Sequence, residues 1–122
     1  MGKATAKRFK EEFTLEQRVQ ESRDMIAKHP DRVPVVAERY KKSDLPDLDK
    51  KKFLVPRDMP VGQFIRTLSG RLGVDPGKAM FVFVGNTLPQ ISSTIESVYN
   101  SYKEEDGFLY MCYGTENTFG SL

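Results

Sequence analysis

Residues 60–73 contain apolar side chains spaced with the period of an α-helix. Pro60 is suited to the start of a helix, and Gly73 is suited to end one in the left-handed conformation. The apolar residues fall at positions i, i+3, i+4, i+7 and i+11, and they are Val61, Phe64, Ile65, Leu68 and Leu72. Because short apolar runs precede and follow this segment, we expect an amphipathic helix that packs on a sheet.

Four short runs are typical of the strands of that sheet. VPVVAERY (33–40) and KKFLVP (51–56) are joined by a polar connection, and FLYMCY (108–113) follows the turn residues Asp106-Gly107. AMFVFV (79–84) is apolar on both alternating sets of positions, which predicts a strand covered on its two faces. We therefore place this strand in the middle of the sheet.

Three further segments predict helices. ATAKRFKEEF and TLEQRVQESRDMIAKHP indicate a short and a longer N-terminal helix, and Thr14 with Gln17 forms a capping box for the second. Ser93 with Glu96 predicts another capping box before the last strand. The order is helix, helix, strand, strand, helix, strand, helix, strand, which favours an α+β roll and leaves the order of the strands open.

The composition fits one soluble globular domain. The 122 residues are 39% hydrophobic and 30% charged, and the single cysteine allows no internal disulfide, so a reducing compartment is expected. The net charge of +2 is too small to indicate a nucleic-acid partner by itself. No apolar run approaches the roughly 20 residues of a membrane-spanning helix.

The side chains that support catalysis are scarce. Cys112 lies within an apolar run, which favours an unreactive packed thiol, and His29 follows a predicted helix, where a surface position is expected. No group of Cys and His has the spacing of a zinc site, and no glycine pattern matches a phosphate-binding loop. We expect no enzymatic activity, no metal and no bound cofactor.

A polar segment with glycines, GTENTFGSL (114–122), follows the last predicted strand. The ordinary interpretation of such a segment is a frayed terminus. A functional tail is the alternative.

Several motifs in order resemble one known family. They are HPDRVPVVAERY, DLDKKKFLVP, VGQF, FVFV, NTLP, EEDGFLY and the Phe119-Gly120 pair, and they resemble the autophagy-related ubiquitin-like modifiers of the GABARAP type from about residue 9 onward. The resemblance implies a ubiquitin-like β-grasp with a four-stranded mixed sheet and two extra N-terminal helices. It divides a single domain, 1–122, into a helical extension (1–29), a β-grasp core (30–114) and a flexible tail (115–122).

The resemblance also implies a role for the tail. An autophagy cysteine protease, for which Phe119 is a recognition residue, would cleave after Gly120 and remove Ser121-Leu122. Enzymes similar to ubiquitin-activating and ubiquitin-conjugating enzymes would then join Gly120 covalently to phosphatidylethanolamine. The protein is accordingly expected in the cytoplasm and, when lipidated, at the autophagosome or vacuole membrane, with tubulin or microtubules as further partners.

A second implied function is peptide binding at KKFLVP. An edge strand there could pair with an extended ligand, whose aromatic residue and, three positions on, aliphatic residue would enter two pockets; such ligands occur in cargo receptors. By resemblance, the aromatic pocket comprises Glu21, Met25, Pro34, Lys52, Leu54 and Phe108. The aliphatic pocket comprises Phe53, Val55, Pro56, Met59, Phe64 and Leu68, and the residues that would attract acidic flanks of the ligand are Arg32, Lys50 and Lys51.

Each of these assignments has an alternative. Leu54, Val55, Phe64 and Phe108 could belong to the core, although we expect several of them to be partly exposed. The whole protein could be an unconjugated ubiquitin-like scaffold that binds peptides in vesicle trafficking. A basic nucleic-acid module, based on Lys50-Lys51-Lys52, is a third hypothesis, which the balanced total charge does not favour.

Overall fold

The computed structural model describes residues 7–115 of the chain. Its elements, in chain order, are α1 (Phe9–Glu12), α2 (Leu15–Lys28), β1 (Arg32–Arg39), β2 (Lys52–Pro56), α3 (Val61–Leu72), β3 (Met80–Phe83), α4 (Ile95–Tyr102) and β4 (Leu109–Thr115). This order is the one that the periodicity predicts. Thr115, which the sequence places at the start of the tail, is the last residue of β4 and is buried.

The strands form a four-stranded mixed sheet in the order β2-β1-β4-β3. The central strands β1 and β4 are parallel, while β2 pairs antiparallel with β1 and β3 pairs antiparallel with β4. The prediction that 79–84 forms a middle strand is therefore wrong, because β3 lies at an edge. A strand that is apolar on both faces is expected to be covered on both faces by packed side chains. This says nothing about whether one or both of its edges pair with another strand.

The two faces of the sheet are covered by different helices. One face packs under α3 and α4 and forms the main core, to which β1 contributes Val33, Val35 and Ala37. The other face carries a smaller aromatic cluster of Phe9, Val36 and Phe108, against which Met25 of α2 packs. Five consecutive residues of β1 are buried because both of its faces are covered.

The helix ends confirm two of the predicted signals and correct a third. Thr14 Oγ1 accepts from the Gln17 N–H (3.2 Å) and the Gln17 side chain accepts from the Thr14 N–H (2.8 Å), and Gly73 is left-handed with φ 65°. The Ser93–Glu96 capping box is wrong: Thr94 caps α4 and accepts from the Ser97 N–H at 3.1 Å. The helix begins one residue later than predicted.

Within residues 7–115, no helix is long and apolar enough to cross a membrane. In the same part of the chain, His, Cys, Asp and Glu form no group that could hold a metal ion.

Candidate functional site

Strand β2 lies at an edge of the described sheet, as the peptide-binding hypothesis requires, and pairs with β1 on one side. The Ala37 N–H donates to the Lys51 carbonyl at 2.9 Å, and hydrogen-bonded pairs alternate along an antiparallel ladder. Leu54 lies opposite Pro34, which has no N–H to donate. The backbone N–H and C=O of Leu54 therefore point away from β1, toward the edge where an added strand would lie.

The side chains of β2 alternate between the core and the surface. Phe53 and Val55 are buried, whereas Lys52 and Leu54 are half-buried on the face that carries α2. A shallow groove of about 770 Å³ lies between α2 and Leu54. Its lining residues are Glu16, Gln17, Gln20, Glu21, Asp24, Met25, Lys28, His29 and Leu54.

An ion pair joins the two walls of this groove. Lys52 Nζ of β2 contacts Glu21 Oε1 of α2, with side chains 35% and 32% exposed. Lys52 also lines a second hollow of about 480 Å³, between α1 and the start of β2, whose other lining residues are Lys7, Phe9, Glu12, Phe13, Leu48, Asp49, Lys50 and Lys51. The pair thus stands between the groove and a hollow that carries four lysines.

The six residues of the predicted aromatic pocket lie close together, four of them partly exposed and two of them buried. Glu21, Met25, Lys52 and Leu54 are partly exposed around the groove. Pro34 and Phe108 are buried; the Phe108 ring packs edge-on against Phe9 at 5.2 Å between centroids. Because Met25 packs on the same aromatic cluster, Phe108 supports the groove from below.

The predicted aliphatic pocket is also assembled, mainly as part of the core. Phe53, Val55, Phe64 and Leu68 are buried in one cluster, and the Phe53 and Phe64 rings meet edge to face at 5.6 Å. Pro56 and Met59 are half-buried at its margin. The expectation that several of Leu54, Val55, Phe64 and Phe108 are partly exposed is wrong. Leu54 alone is partly exposed, and the other three are buried because they pack in the two core clusters.

The basic residues take separate positions. Arg32 and Lys50 are exposed, and Arg32 lies opposite Pro56, at the far end of β2 from Lys50. Lys51 Nζ donates to the Lys7 carbonyl and lies 3.7 Å from a Glu38 carboxylate oxygen. Lys51 therefore fastens the chain before α1 to the start of β2.

A buried network that the sequence analysis missed anchors α2 next to the groove. The Asp106 carboxylate accepts from the Arg18 guanidinium at 2.6 Å, from the Phe108 N–H at 2.9 Å and from the Tyr110 hydroxyl. Burial and the hydrogen bond to Asp106 raise the pKa of Tyr110 well above its ordinary value. The sequence signal was the acidic residue before a turn glycine, which indicated only the turn.

The side chains considered for catalysis lie apart. Burial raises the pKa of the Cys112 thiol, in agreement with an unreactive cysteine, and His29 is exposed at the C-terminal cap of α2. Phe119 and Gly120 lie outside the described residues.

A four-stranded mixed sheet with helices packed on it defines an α+β ubiquitin-like protein, with two additional helices before its first strand. The family model described as "Autophagy protein Atg8 ubiquitin like" matches residues 17–120. The chain belongs to the Atg8 family, whose members are ubiquitin-like modifiers of autophagy.

Relatives and solved structures agree with this assignment. The chain is 64% identical to autophagy-related protein 8i of Arabidopsis thaliana, over 93% of this chain and 99% of that one. It is 60% identical to autophagy-related protein 8D of Oryza sativa subsp. japonica, over 92% of this chain and 96% of that one. The crystal structure of Trypanosoma brucei ATG8 superposes with a TM-score of 0.86 at 38% sequence identity, over 92% of this chain and 97% of that one. The structure of Plasmodium falciparum Atg8 in complex with a Plasmodium falciparum Atg3 peptide superposes with a TM-score of 0.82 at 35% sequence identity. The match covers 90% of this chain and 99% of that one.

Proposed function

We propose that this protein is joined through Gly120 to phosphatidylethanolamine and, on the autophagosomal membrane, binds peptides that carry an aromatic-x-x-aliphatic motif. The observation that carries the peptide-binding part is the outward-facing backbone of Leu54 beside the groove under α2. Such peptides would occur in cargo receptors and autophagy factors.

The ligand would add a strand to the sheet at β2. Its backbone would pair with the outward N–H and C=O groups of Leu54, which fixes the register, and its side chains would alternate toward and away from the groove. The aromatic residue would enter between Met25 and Leu54, above Phe108, and displace the Lys52–Glu21 pair. That pair is partly exposed, so opening it costs little.

The aliphatic residue would dock at the margin of the core, where Pro56 and Met59 are half-buried. Burying two apolar side chains contributes about 1.5–3 kcal/mol each. Together with the backbone hydrogen bonds of the added strand, and after the costs of ordering the peptide, these contributions favour a weak complex, with a dissociation constant on the order of micromolar. Several modifiers on one membrane would then increase the apparent affinity.

The hollow with Lys7, Lys50, Lys51 and Lys52 supports a preference for acidic residues next to the ligand's aromatic residue. Glu12 and Asp49 in the same hollow reduce its positive charge. The attraction would weaken with added salt, since the Debye length falls from about 10 Å at 0.1 M to about 3 Å at 1 M.

The conjugation part rests on family membership and on Phe119-Gly120. The Atg8-family match extends to residue 120, and Ser121-Leu122 follow it. A protease would expose the Gly120 carboxylate, and an activating enzyme would adenylate it with ATP and release pyrophosphate. Enzyme cysteines would then displace AMP and carry Gly120 as a thioester, and the lipid amine would attack the thioester to form an amide and release the thiol. The Atg3 peptide bound to Plasmodium falciparum Atg8 supports a conjugating enzyme as a partner of this chain.

A reconstituted conjugation reaction tests this proposal. Gly120→Ala is expected to abolish the lipidated species, and a chain that ends at Gly120 is expected to be lipidated without the protease. Gly70→Ala is the matched control, because a methyl group at Gly70 meets no heavy atom within 4 Å. The mass of the membrane-bound product gives the result; normal lipidation of Gly120→Ala would refute the assignment of the reacting residue.

The second candidate is an unconjugated scaffold that binds the same peptides in vesicle trafficking. It is favoured because the groove and β2 are formed by residues within 7–115. Mass spectrometry of the cellular protein distinguishes the two: Ser121-Leu122 retained in every cellular pool would select the scaffold.

A further inference from the structure

Strand β4 ends beside the turn that follows β1. These strands are parallel neighbours, so their C-terminal ends meet, and the Tyr40 N–H donates to the Tyr113 carbonyl at 2.8 Å. Thr115 Oγ1 lies 3.5 Å from Asp44 Oδ1. The start of β3 is at the same end, because Met80 lies opposite Thr115. The chain that leads to Gly120 therefore departs from this end of the sheet.

Basic and aromatic side chains surround the point of departure. Tyr40 is 38% exposed, and Lys41, Lys42 and Lys78 are exposed; we call these four residues the tail-side rim. The Arg39 guanidinium holds the turn of Tyr40, Lys41 and Lys42 by donating to the carbonyls of Lys41 (3.3 Å) and Ser43 (2.6 Å).

The acidic residues at this end have shorter side chains than the lysines of the rim. Asp47 is paired with Arg39 at 3.1 Å, and Asp75 accepts from the Gly77 N–H at 2.9 Å. Asp44, Asp75 and Glu116, which follows Thr115 in the sequence, are the negative charges to set against the three lysines of the rim. Because lysine is much longer than aspartate, the positive charges extend further from the surface.

The tail is too short to keep the rim far from whatever holds Gly120. Residues 116–120 span at most about 18 Å when fully extended, at 3.3–3.6 Å per residue. Exposed charges are largely screened beyond the Debye length of about 10 Å at 0.1 M salt, and this maximum is less than twice that length before the reach of the lysine side chains is counted. A bilayer that holds Gly120 would therefore lie within electrostatic reach of Lys41 and Lys42.

We propose that the tail-side rim is a membrane-contact site, in which Lys41, Lys42 and Lys78 bind the headgroups of anionic phospholipids and Tyr40 lies at the interface. This inference rests on the proposed function, since conjugation through Gly120 is what brings this end of the sheet to the bilayer. Juxtamembrane lysines and interfacial tyrosine are the side chains suited to such a surface. The contact would orient the molecule with the sheet end toward the lipid.

A tether that does not require conjugation tests the site. The full chain, with a hexahistidine tag after Leu122, is bound to phosphatidylcholine vesicles that carry a small fraction of nickel-chelating lipid, with or without phosphatidylserine. Flotation over a range of lipid concentrations gives the apparent affinity for each vesicle. The variants are Lys41→Glu/Lys42→Glu and, as a control with the same charge change, Arg23→Glu/Arg66→Glu on α2 and α3, whose residues are also exposed.

Phosphatidylserine is expected to raise the apparent affinity of the wild-type chain by at least about fivefold, since each lysine near an anionic surface contributes about that factor. Lys41→Glu/Lys42→Glu is expected to lose this gain and the control to keep it, and salt should reduce the gain. Equal affinity of the wild type for both vesicles, or equal losses in the two variants, would overturn the site. Because nickel replaces conjugation, a failed lipidation reaction leaves this result unaffected.

Discussion

Arg18 and Asp106 join α2 to the turn before β4 through a nearly buried ion pair, with 2.6 Å between Arg18 Nη1 and Asp106 Oδ2. The side chains are 13% and 1% exposed, and the same carboxylate accepts from the Phe108 N–H. Since Phe108 supports the groove from below, one buried carboxylate holds both a wall and the floor of the candidate site.

Asp106→Ala is expected to lower the free energy of unfolding by about 3 kcal/mol, because it leaves the Arg18 charge and the Tyr110 hydroxyl without their buried partner. Glu104→Ala is the control, since it breaks the Lys10–Glu104 pair, whose side chains are 46% and 43% exposed. That change should cost less than about 1 kcal/mol. Urea denaturation measures both, and equal losses would contradict the structural role of Asp106.

Gly107→Ala is expected to be more damaging than an ordinary glycine substitution. Gly107 has φ 88°, and its added Cβ would lie 2.5 Å from Ser22 Oγ of α2. We expect a loss of at least about 2 kcal/mol from backbone strain and steric overlap. Gly73→Ala also has positive φ but meets no heavy atom within 4 Å, so it should cost about 1 kcal/mol.

A double variant separates the two causes at Gly107. Ser22→Ala removes the Oγ atom, and the pair Ser22→Ala/Gly107→Ala should therefore be less unstable than the sum of the single changes. Thermal unfolding of the four proteins gives the coupling. Strict additivity would show that the contact with Ser22 does not contribute.

The elements that the sequence predicts well are those whose signals are local. The Thr14–Gln17 capping box and the helix ending at Gly73 depend on neighbouring residues, and they are found where expected. The position of β3 depends on which strand it pairs with, and a hydrophobic pattern carries no such information.

The sequence predicts which residues form the candidate site better than it predicts how deeply each of them is buried. The motifs predict which residues gather at β2, but not that Phe108 lies at 0% exposure beneath the groove while Leu54 remains on its surface. Depth depends on how α1 and α2 cover the sheet, and the Arg18–Asp106 pair that fixes α2 spans 88 positions of the chain. A contact so distant in sequence leaves no periodic signal.

Alkaline pH is expected to destabilise the protein through Tyr113. Its hydroxyl donates to the Pro46 carbonyl at 2.9 Å, and burial, with the nearby Asp47 carboxylate, raises the pKa of Tyr113 to about 12. The unfolded chain releases this proton near pH 10. The folded state therefore keeps the proton longer, so its stabilisation is complete below about pH 10 and is lost as the pH rises toward 12.

Comparison with Tyr113→Phe isolates this effect. The free energy of unfolding should fall less steeply between about pH 10 and 12 in the variant than in the wild type, since the other titrating groups are common to both. Identical slopes in the two proteins would show that Tyr113 titrates alike in the folded and unfolded states.

Leu54→Ala and Val55→Ala are expected to separate binding from stability at adjacent positions of β2. Leu54 is half-buried at the groove. Its truncation should therefore weaken the binding of an aromatic-x-x-aliphatic peptide by more than about 1 kcal/mol and change the free energy of unfolding little. Val55 is 2% exposed in the main core, so its truncation should lower the free energy of unfolding by roughly 2 kcal/mol.

Calorimetric titration with the peptide and urea denaturation of each variant measure the two effects, below the temperature at which Val55→Ala unfolds. The alternation of side chains along β2 requires opposite patterns in the two variants. If Leu54→Ala bound the peptide as tightly as the wild type, the ligand would lie elsewhere than in the groove between α2 and β2. If Leu54→Ala were as unstable as Val55→Ala, the Leu54 side chain would belong to the core.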